Sequence, residues 1–125
     1  MPLLILPRTN PKPGIAASAA FPSGVSTASA SWSLTVPSGA TLVTVHIATG
    51  PNGANTTTGV TWNGAALTKF DTVVSSANTS NRRAEVWFLL NPTPATGNVV
   101  VTNSAALPTG AVAIAWYNII GDQFR

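Results

Sequence analysis

The 125-residue sequence has no cysteine, a single histidine (His46) and only three carboxylates, Asp71, Glu85 and Asp122. Without cysteine there is no disulfide framework, no thiolate metal site and no thiol nucleophile. A zinc site would have to draw every ligand beyond His46 from the three acids, so neither a metal nor a cofactor is expected. Acid/base pairs and calcium cages need carboxylates that converge on one site, and the spacing of Asp71, Glu85 and Asp122 brings no two together. His46 stands among many serines, but no nucleophile-elbow motif accompanies it. No Gly-rich phosphate loop leads into a helix. The residues predict a protein that is not an enzyme, with no catalytic, cofactor-binding or metal-binding positions.

Charge is equally scarce. Charged residues make up 7% of the chain, against about 25% in an ordinary soluble domain, and Ser, Thr, Asn and Gly fill most polar positions. Such a surface resists association poorly, which suits a protein packed against neighbours. The net charge of +3 raises nucleic acid as a partner. Tight binders make about 6–10 phosphate contacts, so all six cations, Arg8, Lys12, Lys69, Arg82, Arg83 and Arg125, would have to share one face. The adjacent Arg82 and Arg83 point to opposite sides of a strand, and nucleic acid is not an expected partner. Long apolar runs are missing too. Residues 3–6, bounded by Pro2 and Pro7, fall short of the roughly 7–15 residues of a signal-peptide core, and nothing approaches the ~20 of a membrane-spanning helix. The expectation is synthesis in the cytoplasm, no classical export signal and no membrane partner.

What the chain does have is proline, glycine and alternation. Pro2, Pro7, Pro11, Pro13 and Pro22 predict an extended N-terminal arm over residues 1–24, since proline fixes φ and lacks the amide donor. From residue 25 a single β-domain is expected, running to residue 125. Ala30, Trp32, Leu34 and Val36 alternate with Ser29, Ser31, Ser33 and Thr35, the pattern of a half-buried strand. A Pro37-Ser38-Gly39 turn follows, and a second strand places Val43, Val45 and Ile47 inward with Thr44 and His46 outward. Residues 50–59 read as a loop. Asn63-Gly64, flanked by 60–62 and 66–70, predicts a hairpin on a type I′ turn. Residues 71–76 prolong its second strand or pair elsewhere, and 77–81 form a loop. Asn91-Pro92-Thr93-Pro94 ends the strand over 83–90. Residues 98–102 are a short strand, 107–110 a turn, and 111–120 the last strand, whose two faces both look covered. No helical periodicity appears. Seven to eight such strands predict an all-β, antiparallel β-sandwich, Ig-like or jelly-roll. Trp32 and Trp116 are expected in its core. Asn55-Thr56-Thr57 and Asn78-Thr79-Ser80 match the glycosylation acceptor pattern and mark exposed loops.

The strand over 83–90 carries the main functional expectation. Ala84, Val86, Phe88 and Leu90 are wholly apolar and are assigned to the core. Arg83 and Glu85 mark the other side as outward, which leaves Trp87 and Leu89 on that side in need of a cover. Leu3, Leu4, Ile5, Leu6 and Ile15 supply further apolar surface on the arm. These seven residues, Leu3, Leu4, Ile5, Leu6, Ile15, Trp87 and Leu89, are the candidate subunit interface.

Residues 59–64 (Gly-Val-Thr-Trp-Asn-Gly), Leu67, 83–92 (Arg-Ala-Glu-Val-Trp-Phe-Leu-Leu-Asn-Pro) and 98–102 (Asn-Val-Val-Val-Thr) together resemble a β-sandwich domain that recurs in tailed-phage virion proteins and some bacterial surface proteins. The likeness covers about residues 38–120, and its motifs are structural, so it implies an architecture more directly than an activity. With the low charge and the arm, it leads to the expectation of a phage capsid decoration (cement) subunit in the virion, attached through its sandwich surface and N-terminal arm. The implied partners are other copies of the chain or the major capsid protein. The alternative is a glycan- or surface-binding module of a tail fibre or extracellular protein, with outward Trp87 or loop-proximal Trp62 against the sugar.

Overall fold

The computed structural model describes residues 13–50, 55–75 and 82–119, the side chain of Ser23 excepted. Within these the chain is all-β, in seven strands: β1 (Gly14–Val36), β2 (Ala40–Thr49), β3 (Thr57–Trp62), β4 (Ala65–Ala66), β5 (Thr68–Ser75), β6 (Arg82–Leu90) and β7 (Ala95–Tyr117). Every pairing is antiparallel, in one sheet of order β4-β3-β7-β2-β6-β5, with β1 on β7.

The two long strands organise the sheet. β1 pairs with β7 from Gly14–Tyr117 to Val36–Ala95. The other edge of β7 is shared, residues 99–103 pairing with β3 and 109–117 with β2. Two wings result. The short wing holds β4, β3 and the adjoining halves of β7 and β1; the long wing holds β5, β6, β2 and their other halves. Leu34, Val36, Val60, Trp62, Val99 and Val101 from the short wing join Val43, Val45, Ile47, Trp87, Ala113 and Ala115 from the long wing in one buried cluster. The sheet is therefore curled over a single core, in a nearly barrel-like form.

Side chains at the bend hold it in place. Register shifts in β1 fall between Phe21 and Val25 and between Thr27 and Ser29, bulges that let a strand turn without ending. Across from them Asn103 is buried. It accepts from Thr57 Oγ1 (2.9 Å) and donates to the Thr27 carbonyl (3.0 Å) and Thr109 Oγ1 (3.0 Å). Thr109 in turn donates to the Leu107 carbonyl at 2.9 Å.

Several sequence expectations hold at the level of elements. Asn63 and Gly64 have φ of 46° and 80°, the paired positive values of the expected hairpin turn, and Trp62 pairs with Ala65 across it. Gly39 has φ of 90°, and the Ala40 amide donates to the Pro37 carbonyl at 3.3 Å. The strands on either side of that turn do not pair with each other; they lie in opposite wings.

Three expectations are corrected. Residues 107–110 are not a turn but part of continuous β7. Pro108 is tolerated because it falls between the last β3 pair at Asn103 and the first β2 pair at Thr109, where that edge of β7 has no partner strand to satisfy. Residues 14–21, expected in the extended arm, pair with the chain's own β7 with one register shift between Ile15 and Ala17, and Pro22 sits inside a second shift where its missing amide breaks no ladder. The third concerns the facing of β6. Glu85 and Trp87 are buried, Arg83 and Leu89 half-buried against the core side, while Ala84 and Leu90 are exposed and Val86 and Phe88 half-buried on the outside. The period of two is right and its two sides are exchanged.

Glu85 can face inward because its carboxylate is satisfied there. Trp87 Nε1 donates to Oε2 at 2.9 Å, Thr72 Oγ1 donates to Oε1 at 3.4 Å, and Lys69 Nζ lies 3.3 Å from Oε1. Lys69 also stands 5.1 Å above the Trp87 ring, so one cation meets both a carboxylate and an aromatic face. This cluster fastens β5 to β6.

One close approach yields a prediction. A Cβ on Gly97 would lie 2.5 Å from Asn63 Cβ, and Asn63 is held by its amide's 2.9 Å bond to the Asn98 carbonyl. Gly97→Ala should lose about 1–3 kcal/mol by overpacking, measured as a lower urea midpoint with unchanged slope.

Candidate functional site

Exchanging the faces of β6 puts the chain's densest apolar set on the outside of the long wing. Cross-strand partners share a face, so the register defines the surface row by row. Ile15, Trp116, Leu42 and Leu90 form the first row, and Ser18, Ile114, Thr44, Phe88 and Thr68 the second, with Leu42 and Thr44 themselves buried. The third row is Ala20, Val112, His46, Val86 and Asp71, the fourth Gly110, Ala48, Ala84 and Val73. Val73 is 66% and Ile15 60% exposed, and Phe70, packed edge-on against Phe88 at 6.3 Å, is also exposed. A sheet normally turns its second face to water with polar side chains; this one does not.

The third and fourth rows sink into a groove of about 790 Å³. Its depth comes from residue size. Ala20, Ala48, Ala84 and Gly110 lay a low floor, and Val73, Val86 and Val112 stand around it. His46 and Asp71 are its titratable side chains on this face. The volume lies in the range of about 300–1,000 Å³ that takes a small ligand or a few side chains.

His46 is half-buried, and desolvation lowers its pKa below the ordinary value of 6.5. A hydrogen-bonded line runs along the face: Trp116 Nε1 donates to Thr44 Oγ1 at 2.8 Å, and Thr44 Oγ1 lies 3.0 Å from His46 Nε2. The Thr44 hydroxyl can donate to an unprotonated Nε2 or accept from a protonated one, and the preference for neutral histidine comes from desolvation. The unfolded chain then binds more protons than the folded one just below pH 6.5, so stability drops as the pH is lowered through that window until the lowered folded pKa is passed. His46→Gln should flatten this slope, read from urea midpoints between about pH 5 and 7.

Of the seven expected site residues, Ile15, Trp87 and Leu89 fall among the described residues. Ile15 lies on the outer face and is exposed. Trp87, 7% exposed, and half-buried Leu89 are on the core side. Leu3, Leu4, Ile5 and Leu6 lie outside the described residues, as do Asp122 and the acceptor pattern at Asn78. Trp62, 2% exposed, donates from Nε1 to the Leu34 carbonyl at 3.2 Å inside the core. With Trp87 also inward, neither ring offers a sugar platform. Trp32 and Trp116, expected in the core, are half-buried. Trp32 packs at the core margin, its ring 5.7 Å from that of Phe21 and its Nε1 donating to the Ala19 carbonyl at 3.0 Å.

The residues missed as site components are Ala48, Val73, Ala84, Val86 and Val112. Ala84 and Val86 were assigned to the core side of their strand and Val112 to a strand with both faces covered, while Ala48 and Val73 carried no assignment. Comparison with protein-family models, curated proteins and solved structures finds no match to this chain.

Proposed function

We propose that the chain is a non-enzymatic structural subunit of a virion, most concretely a phage capsid decoration protein, that attaches through the outer face of its long wing. On this reading the curled sheet is a two-layered β-sandwich, the short wing over the long one, and the layer facing away from the core is the one that docks. The observation that carries the reading is the apolar outer face built by Val73, Ala84, Val86, Phe88, Val112 and Ile114, half-buried or exposed with no further layer of described residues over it. Burying such surface contributes about 25 cal/mol per Å², and the near absence of charge removes the desolvation cost that opposes docking. The partners are other copies of the chain or the major capsid protein, and the working location is the particle.

The test is mass spectrometry of gradient-purified particles from the encoding replicon. The proposal expects the chain to co-band with capsids in a fixed ratio to the major capsid protein. Recovery only in the soluble fraction would remove it.

A further inference from the structure

We infer that the end of the long wing binds a phosphate-type oxyanion, held by Arg83 with Arg82 and Thr49 beside it. These side chains lie outside the apolar rows described above, so the binding does not depend on assembly.

The register sets the site. Thr109 pairs with Thr49, Thr49 with Arg83, and the row is flanked by Val25 and Val74. Cross-strand partners share a face, so Thr109, Thr49 and Arg83 stand side by side on the core side, on neighbouring strands about 4.8 Å apart. This is the last row paired across β7, β2 and β6. A pocket of about 290 Å³ lies at this end of the sheet, and its lining includes Gly24, Thr49, Gly50, Arg82, Arg83 and Thr109.

The polar groups of the row are unequally supplied. Thr109 Oγ1 donates to the Leu107 carbonyl and accepts from Asn103 Nδ2. Arg83 Nε, by contrast, is buried with no hydrogen-bond partner. Thr49, itself buried, has no side-chain partner among the described residues. Leaving a buried N–H of a charged group without an acceptor is costly, and such a group calls for an explanation. The carboxylate that shares its side of β6 does not supply one: Glu85 already takes Trp87 Nε1, Thr72 Oγ1 and Lys69. Among the described residues Lys69–Glu85 is the only ion pair, so neither Arg82 nor Arg83 is neutralised. No acid lines the pocket.

These features select the ligand. A guanidinium presents a planar fork of donors that matches two oxygens of one anion. Two adjacent cations with no carboxylate in the lining favour a doubly charged anion over a singly charged one. Gly24, Gly50 and Gly110 keep the lining low, which lets a tetrahedral group approach the main chain. The volume falls just under the range of about 300–1,000 Å³ for larger organic ligands, a size for phosphate or a small phosphomonoester.

The test is isothermal titration calorimetry of the full chain at neutral pH and low ionic strength, with inorganic phosphate and phosphoserine as probes. Sulfate, acetate and chloride are run beside them at matched ionic strength. The expected result is one site for phosphate, for which sulfate competes and acetate and chloride do not. Tighter binding of phosphoserine would name a monoester as the source and tighter binding of phosphate the free ion, and either supports the site. Arg83→Met should weaken phosphate binding about tenfold or more, and Arg82→Gln by a smaller factor. Arg83→Lys keeps the net charge and loses the fork, so it too should bind less tightly than the unaltered chain. Without phosphate, Arg83→Met should have a urea midpoint no lower than that of the unaltered protein, since it removes the unpartnered Nε; added phosphate should raise the midpoint of the unaltered protein alone. If Arg83→Met fails to fold, Arg83→Lys carries the comparison. Absence of binding heat with both probes, affinity unchanged by the Arg83 substitution, or acetate and chloride competing as well as sulfate would each overturn the assignment.

Discussion

Trp62→Ala is expected to cost about 3–5 kcal/mol, a large part of the roughly 5–15 kcal/mol that holds a domain together. Trp62 is buried in the core cluster that includes Leu34 and Val36 from β1 and Val99 and Val101 from β7. Its removal leaves a void that backbone fixed by ladders on both sides cannot close. It also strips the Leu34 carbonyl of the indole donor. Urea denaturation should show the variant unfolded or with its midpoint severely lowered. The matched change at Trp116, a half-buried ring on the outer face, should cost less than half as much. Equal losses at the two positions would mean that the core has been placed on the wrong side of the sheet.

The second large effect is expected at Asn103. Replacement by leucine keeps the bulk and removes three hydrogen bonds at once, leaving the Thr57 hydroxyl without its acceptor and the Thr27 carbonyl without its side-chain donor. Each buried group left unsatisfied costs about 1–3 kcal/mol, so a total of about 2–4 kcal/mol is expected. The loss should not be uniform. Asn103 ties β7 to β1 and β3 at the bend, so hydrogen exchange should quicken first in β3 and in β1 around Thr27, with β2 and β6 protected longest. Uniform acceleration across both wings would contradict a local role for the bend.

What the sequence made legible, and what it did not, follows from which physical signals are local. The hairpin at 62–65 was legible because Asn63 and Gly64 carry the required backbone angles in their own side-chain chemistry. The strand at 82–90 and its period of two were legible as well. Its facing was not, because one acid and one arginine were taken to mark the wet side. Glu85 is buried at 4% exposure because Trp87, Lys69 and Thr72 satisfy it, and two of those partners lie on a strand whose register with β6 no local pattern discloses. The same exchange of faces hid the candidate site, since Ala84 and Val86 were counted as core.

Proline was over-read for a related reason. Pro22 and Pro108 were taken as signs of an extended arm and a turn, yet each lies where pairing is already interrupted, Pro22 in a register shift of β1 and Pro108 where β7 changes partners. Only the topology of the long strands reveals such gaps. Low charge, by contrast, was visible from composition and now has a place: the outer face of the long wing, where His46 and Asp71 stand among alanines and valines.

The most direct measurement is the solution mass of the intact chain from micromolar to several hundred micromolar concentration, beside Val86→Asp, which puts a charge at the centre of the apolar face. A single chain has a mass of 12.7 kDa. The expected result is a rise to a defined multiple of that mass in the unaltered protein and its loss in the folded Val86→Asp protein. A mass of one chain at every concentration, or a multimer indifferent to the new charge, would mean that this surface is not built to be covered.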